Sequence, residues 1–260
     1  MKITVACGQF APDSGGTARN VARMAAMARD AAARGAALLV LPEMCLCGYL
    51  STEQARACAV PADGPEIRGL AETARQNDIA LCFGFAERSD DGTLYNSMAC
   101  VAQNGLLQAV YRKVHLWKTE KEWARPGSSF ESFPLLGLRA GMWICYDTRF
   151  PEGVRSLARA GATLGIVGSA WFGPAEEWEL ALRARALDYG IFAAGAAVQG
   201  FFGEQAFHGE SLIVDPHGRV LARAREGREE LICADYDDAA VESFRARLPL
   251  LDDLRPETYA

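Results

Sequence analysis

Three apolar stretches of this chain end in side chains capable of nucleophilic chemistry. Val40-Leu41-Pro42-Glu43 delivers a carboxylate, Ala109-Val110-Tyr111-Arg112-Lys113 a lysine, and Met142-Trp143-Ile144-Cys145-Tyr146-Asp147 a thiol. A cysteine is mostly protonated at neutral pH, so it needs a base and a cation nearby to attack a carbonyl. Strand ends are where α/β enzymes hold such groups, fixed on one side and open to a cleft on the other. Taken singly, each residue has a plainer reading. Glu43 fits a solvated loop or an arginine partner, Lys113 a surface charge beside Arg112, and Cys145 ordinary core. Together they would form a self-sufficient site, although order along the chain does not establish that they meet in space.

The elements that would position them belong to a globular chain. Half of the 260 residues are hydrophobic and 23% are charged, a balance outside the disordered range. The charge-free stretches 161–175 and 189–203 are too short to span a bilayer and carry glycines. The net charge of −6 argues against nucleic acid as a partner. Of the 27 cationic residues only four are lysines, and Lys113, Lys118 and Lys121 fall within nine residues. A lysine where arginine is the default is suggestive, because the two differ chemically.

The opening Met1–Phe10 alternates apolar and polar residues without the apolar core of a signal peptide, and reads as a first strand in a cytoplasmic protein. Most of the eight cysteines lie in apolar runs and read as reduced, buried thiols. Cys45 and Cys47 form the one close pair, read as packing residues. With three scattered histidines, the chain offers no metal set.

Helical patterns over 17–34, 65–76, 151–160 and 175–188 alternate with strand-like runs near 36–41, 79–86, 94–102, 106–111, 138–145, 163–169 and 191–198. Further strands are expected near 209–215, 219–223 and 230–236, then a short helix. A long loop near 115–132 has the length of a functional segment. The pattern predicts one layered α/β or α+β domain spanning 1–260.

The blocks Leu41-Pro42-Glu43-Met44, Tyr111-Arg112-Lys113-Val114-His115-Leu116 and Cys145-Tyr146-Asp147-Thr148-Arg149-Phe150-Pro151-Glu152 resemble the three signature blocks of the nitrilase, or carbon–nitrogen hydrolase, superfamily, in its order and spacing. Gln9, Gly84, Asn96-Ser97, Pro126-Gly127, Arg183–Ala186 and Gly209-Glu210-Ser211 extend the resemblance over nearly the whole chain. It implies a four-layer α-β-β-α sandwich that dimerises through an outer helical layer. It also implies a triad of Glu43 as general base, Lys113 as electrostatic stabiliser and Cys145 as nucleophile, with no metal or organic cofactor. A second glutamate is expected seven residues before Gly127, at Glu120, with Glu122 as the competing register.

With those roles the chemistry would be attack on an amide carbonyl, loss of ammonia and hydrolysis of a thioester. Lys113 and the backbone N–H of Tyr146 would stabilise the oxyanion. The Cys-Tyr-Asp form resembles amidase branches, which points to a small carboxamide as substrate. Tyr49, Trp171 and Phe172 are candidate pocket walls or plain packing aromatics. Trp178 and Arg183 read as scaffold or dimer contacts. His115, two residues past Lys113, is expected on the opposite strand face or in the loop. Two alternatives stand: nitrile or N-carbamoyl hydrolysis on the same triad, and a silent member that only binds a metabolite or partner.

Overall fold

The computed structural model describes residues 1–49 and 51–258. In chain order the elements are β1 (Lys2–Gln9), α1 (Thr17–Ala33), β2 (Ala36–Val40), α2 (Thr52–Cys58), α3 (Pro65–Gln76), β3 (Ala80–Arg88), β4 (Leu94–Val101), β5 (Leu107–Arg112), α4 (Glu120–Trp123), β6 (Ser132–Leu135) and β7 (Leu138–Ile144). A 3-10 turn, Cys145–Arg149, leads into α5 (Pro151–Arg159), β8 (Leu164–Ser169), α6 (Ala175–Tyr189), β9 (Phe192–Ala197), β10 (Gln199–Phe202), β11 (Gln205–His208), β12 (Leu212–Val214), β13 (Val220–Arg223), β14 (Glu230–Asp237) and α7 (Asp238–Arg247).

Two six-stranded sheets result, ordered β14-β1-β2-β3-β4-β5 and β13-β12-β9-β8-β7-β6. Each centres on three parallel strands, β1-β2-β3 and β7-β8-β9. Parallel neighbours require crossover connections, which α1 and α3 supply in one half and α5 and α6 in the other. Those helices shield one face of each sheet, and the remaining faces pack on each other. Strand β2 shows the consequence in its alternation. Leu38 and Val40 join the inter-sheet core with Met142, Ile144 and Ile166, whereas Leu39 and Leu41 join the core under the helices with Met24, Ala28, Ile67 and Leu70. Both faces are apolar because both are covered. The four layers α-β-β-α follow.

Several local expectations shift. The segment read as a strand over 209–215 is extended only at β12, because Gly209 and Glu210 take positive φ of 78° and 54°. The residues before it form the β10–β11 hairpin. The long loop holds the single turn of α4, and β6 begins at its end. Helix α2 was not expected, although Ser51 and Gln54 form a capping box at its start.

The sheets meet closely where the chain leaves β2. Gly84 on β3 and Gly168 on β8 face the Pro42–Met44 segment from either sheet. A Cβ on Gly84 would lie 2.4 Å from Met44 N and 2.7 Å from Glu43 Cα, and one on Gly168 would lie 2.9 Å from Glu43 N. These atoms are backbone and cannot rotate away. Gly84→Ala is therefore expected to cost about 3 kcal/mol, lowering Tm by roughly 6–10 °C in a thermal melt, with activity falling further because Glu43 is displaced.

Candidate active site

Both sheets contribute to one buried cluster. Glu43 follows β2, and its segment is tied to β3 by Leu41 N–H donating to Cys82 O and Gly84 N–H donating to Pro42 O. Lys113 is the residue after β5. Its N–H donates to Asn96 O and its carbonyl accepts from Gly127 N–H, so the side chain enters the interior from a pinned backbone. Cys145 follows β7 as the first residue of the 3-10 turn, with φ of 45°. A non-glycine residue in this region is strained, and the strain turns the chain sharply at the thiol.

The side chains converge. Lys113 Nζ donates to Glu43 Oε1 at 2.6 Å and to Glu120 Oε1 at 2.9 Å. Asn96 Nδ2 bridges the same two oxygens at 2.8 and 3.0 Å. Glu43 Oε2 accepts the Ala170 N–H at 2.7 Å, and Glu120 Oε2 accepts the Trp117 N–H at 2.7 Å. The Cys145 thiol donates to Ala170 O at 3.5 Å, so the thiol and Glu43's second oxygen both bond to Ala170. Glu43 and Asn96 are fully buried, and Lys113 and Glu120 are 1% exposed.

Burial and charge set the protonation states. Desolvation raises Glu43 to about 7, opposed by Lys113 and assisted by Glu120. Desolvation pulls Lys113 down, but the Glu120 and Glu43 carboxylates outweigh it and hold the ammonium well above its usual range. Burial, then Glu43, push the Cys145 thiol up, with Lys113 opposing. The resting arrangement is a protonated thiol, a charged lysine and a carboxylate poised near neutrality, which suits a general base.

A second network fixes the turn at Cys145. The buried Asp147 carboxylate accepts from Ile144 N–H at 3.1 Å, Tyr111 OH at 2.7 Å and His115 N–H at 2.9 Å, and pairs with His115 Nδ1 at 2.8 Å. His115 thus lies in the loop after β5, stacked on Phe150 at 3.7 Å. Tying the Cys145 turn to the Lys113 segment, Asp147 joins the two sheets' contributions. Sequence reasoning did not single out Asp147 or Asn96 as site residues. Asp147 carried a signal, its place two residues past the thiol.

The expected wall residues divide. Trp171 and Phe172 line a small cavity of about 20 Å³ with Cys145, Tyr146, Trp117 and Arg149. Tyr146 also lies in the first 3-10 turn, where backbone N–H groups have no intrahelical acceptor. Tyr49 stands elsewhere: its hydroxyl donates to Glu120 Oε1 at 3.2 Å, and its ring is held edge-on by Phe172 and Phe202. It acts as a support for Glu120, because that carboxylate draws the hydroxyl inward. Glu122 faces outward, accepting from the Thr52 hydroxyl at 3.0 Å. Trp178 and Arg183 bond within the chain, to Glu210 O and Gly218 O. Cys45 and Cys47 are buried in the packing. A larger cleft opens between β5 and β6, and its lining holds neither Cys145 nor Lys113 nor the two glutamates. Among the described residues no group of three His, Cys, Asp or Glu side chains is placed to hold a metal ion.

Comparison with known proteins assigns the family. The profile described as carbon-nitrogen hydrolase matches residues 4–246, and the chain belongs to that family. It is 38% identical to an (R)-stereoselective amidase of a Pseudomonas species over 89% of this chain and 82% of that protein. It is 32% identical to a 2-oxoglutaramate amidase of Bacillus subtilis over 100% of both. Among solved structures, an amidase of Nesterenkonia sp. AN1, a double mutant in complex with acrylamide, aligns with a TM-score of 0.84 at 27% identity, over 98% of this chain and 95% of that one.

The two loop glutamates provide a direct check on this geometry. Glu120→Gln removes one of the two charges on Lys113 and is expected to lower kcat by about 100-fold, in line with the loss of a placed electrostatic group. Glu122→Gln loses only a contact with the Thr52 hydroxyl and is expected to stay within about twofold of wild type, as surface changes do. Steady-state rates of ammonia release measure both, and a reversed order would transfer the role to Glu122.

Proposed function

We propose that this carbon–nitrogen hydrolase is an amidase, converting a small primary carboxamide to its acid and ammonia through a thioester on Cys145. The observation that carries this reading is the single Lys113 ammonium shared by Glu43 and Glu120 beside a thiol at the floor of a small cavity. Glu43 takes the Cys145 proton as sulfur attacks the amide carbon. Negative charge moves to the carbonyl oxygen, where Lys113 Nζ and the Tyr146 N–H supply donors, each worth about 3–4 kcal/mol in such a role. Glu43 returns the proton to nitrogen, the C–N bond breaks and ammonia leaves. Water then enters, gives its proton to Glu43 and attacks the thioester, releasing the acid and restoring the thiol. Glu120 holds Lys113 in place and orients the substrate nitrogen.

The cavity supports the substrate size. With room for only about 20 Å³ it lies far below the range of ordinary ligand pockets, which favours compact acyl groups over peptides. Trp171 Nε1 is buried in its wall without a partner among the described residues, a donor available to a polar acyl substituent. An amide matches Glu43 as a proton shuttle, since its leaving nitrogen must be protonated. A nitrile needs a different proton sequence and a second water.

The same reading places the protein in the cytoplasm, as a homodimer. All eight cysteines are unpaired, as suits a reducing compartment, and no helix among the described residues is long and apolar enough to cross a membrane. Helix α6 buries Trp178, Leu182 and Ala186 yet leaves Leu180 and Leu187, seven residues apart, exposed on its other side. A helix apolar on two sides needs two partners.

Two outcomes are expected. In a matched series of amide, nitrile and N-carbamoyl amine with one side group, the amide should lead in kcat/KM and Cys145→Ala should abolish turnover. A nitrile or carbamoyl lead of about tenfold, or 1.4 kcal/mol, would move the protein to the sister activity. Light scattering should give twice the chain mass of 28.1 kDa, falling to one chain mass when Leu180→Glu and Leu187→Glu are combined. A wild-type monomer would refute the dimer.

A further inference from the structure

Asn96 occupies the centre of the buried charges without carrying one. It lies on β4, opposite Ala86 of β3, and is fully buried. Its Nδ2 donates to Glu43 at 2.8 Å and to Glu120 at 3.0 Å, while its backbone carbonyl accepts the Lys113 N–H at 2.8 Å. One residue therefore touches both carboxylates and the backbone of the lysine between them. The orientation of its amide follows from chemistry. Carboxylate oxygens only accept, so the NH₂ end must face them. Its Oδ1 is then left buried, without a partner among the described residues.

We propose that Asn96 is a positioning residue of the reaction: its amide spaces the two glutamates and keeps Glu43 free to accept the Cys145 proton. This rests on the Glu43–Cys145 pairing read above. One lysine cannot balance two buried carboxylates, and an unbalanced carboxylate keeps its own proton. A second cation would correct that at the cost of Glu43's basicity. A neutral amide supplies two hydrogen bonds and adds no charge. The other groups facing Glu43 are Lys113 after β5, Glu120 of α4, Tyr49 after β2 and Cys145 after β7. All remain in an Asn96 variant, so a change in Glu43's titration reports on the amide.

The test follows alkylation of Cys145 by iodoacetamide, read by mass spectrometry of the Cys145 peptide from about pH 5 to 10. It needs no substrate. The wild-type rate should rise through about 7, where Glu43 titrates. Asn96→Leu keeps the approximate shape and loses the donors without adding a charge; Asn96→Ala loses both. Each should move this rise up by about one pH unit, a tenfold change on its acid side, and regain nearly the wild-type rate by about pH 9.5. An unmoved rise with rates lowered evenly at every pH would show Asn96 to be structural and overturn the proposal, as would failure of both variants to fold. A wild-type Cys145 that labels no faster than the buried thiols would overturn it together with the Glu43–Cys145 pairing. Wild-type labelling as expected without amide turnover would overturn only the substrate reading, and the shift in the variants would still decide Asn96.

Discussion

One ammonium between two carboxylates governs the rest of this molecule. Lys113, Glu43 and Glu120 sit where water does not reach, and removing one partner of such a pair costs several kcal/mol because the other charge is left exposed to low dielectric. The surrounding structure supplies the compensation. Backbone N–H groups of Ala170 and Trp117, the Tyr49 hydroxyl and the Asn96 amide each donate to a carboxylate oxygen. These donors come from widely separated parts of the sequence, so the charge cluster and the packing of the two sheets stabilise each other.

That dependence explains the closeness of the sheets. Glu43 must leave β2 between β3 and β8, and glycine at 84 and 168 is the only side-chain choice that leaves room for its backbone. Asp147 performs a similar task on the opposite side, binding the strained turn at Cys145 to the segment that carries Lys113. Cys145 comes from one sheet and the charged groups around Lys113 from the other, so their distance is an inter-sheet distance. Close-packed interiors hold such distances well.

Much of this was legible in the chain. The helices from Thr17 and Pro65 and the buried strands before Glu43 and Cys145 announce themselves by apolar period and by glycine or proline at their ends, because both faces or one full stripe are covered. The three strand-end residues were visible as reactive types in unusual places. Asn96 was not. It is a neutral amide inside a strand, and its partners lie 53 and 24 residues away. Tyr49 was expected as a wall, since nothing local shows that its hydroxyl reaches a carboxylate 71 residues downstream. The β10–β11 hairpin and the true extent of β12 were hidden because Glu210, a non-glycine residue, adopts a left-handed backbone.

For the thioester proposed on Cys145, the cramped space over the thiol also imposes an order on events. Glu43 is fully buried, Glu120 is 1% exposed and Cys145 6%, so on that route the hydrolytic water would come by way of the space the leaving group has occupied. Ammonia has to clear it first. Until then the acylated enzyme holds its first product next to the thioester, where resynthesis of the amide is the nearest available reaction. Net flux then depends on how fast a molecule the size of ammonia escapes past Trp117, Trp171 and Phe172. Those aromatic side chains set a rate of traffic as well as a shape, and a high external concentration of ammonia or another small amine would compete with water for the same intermediate.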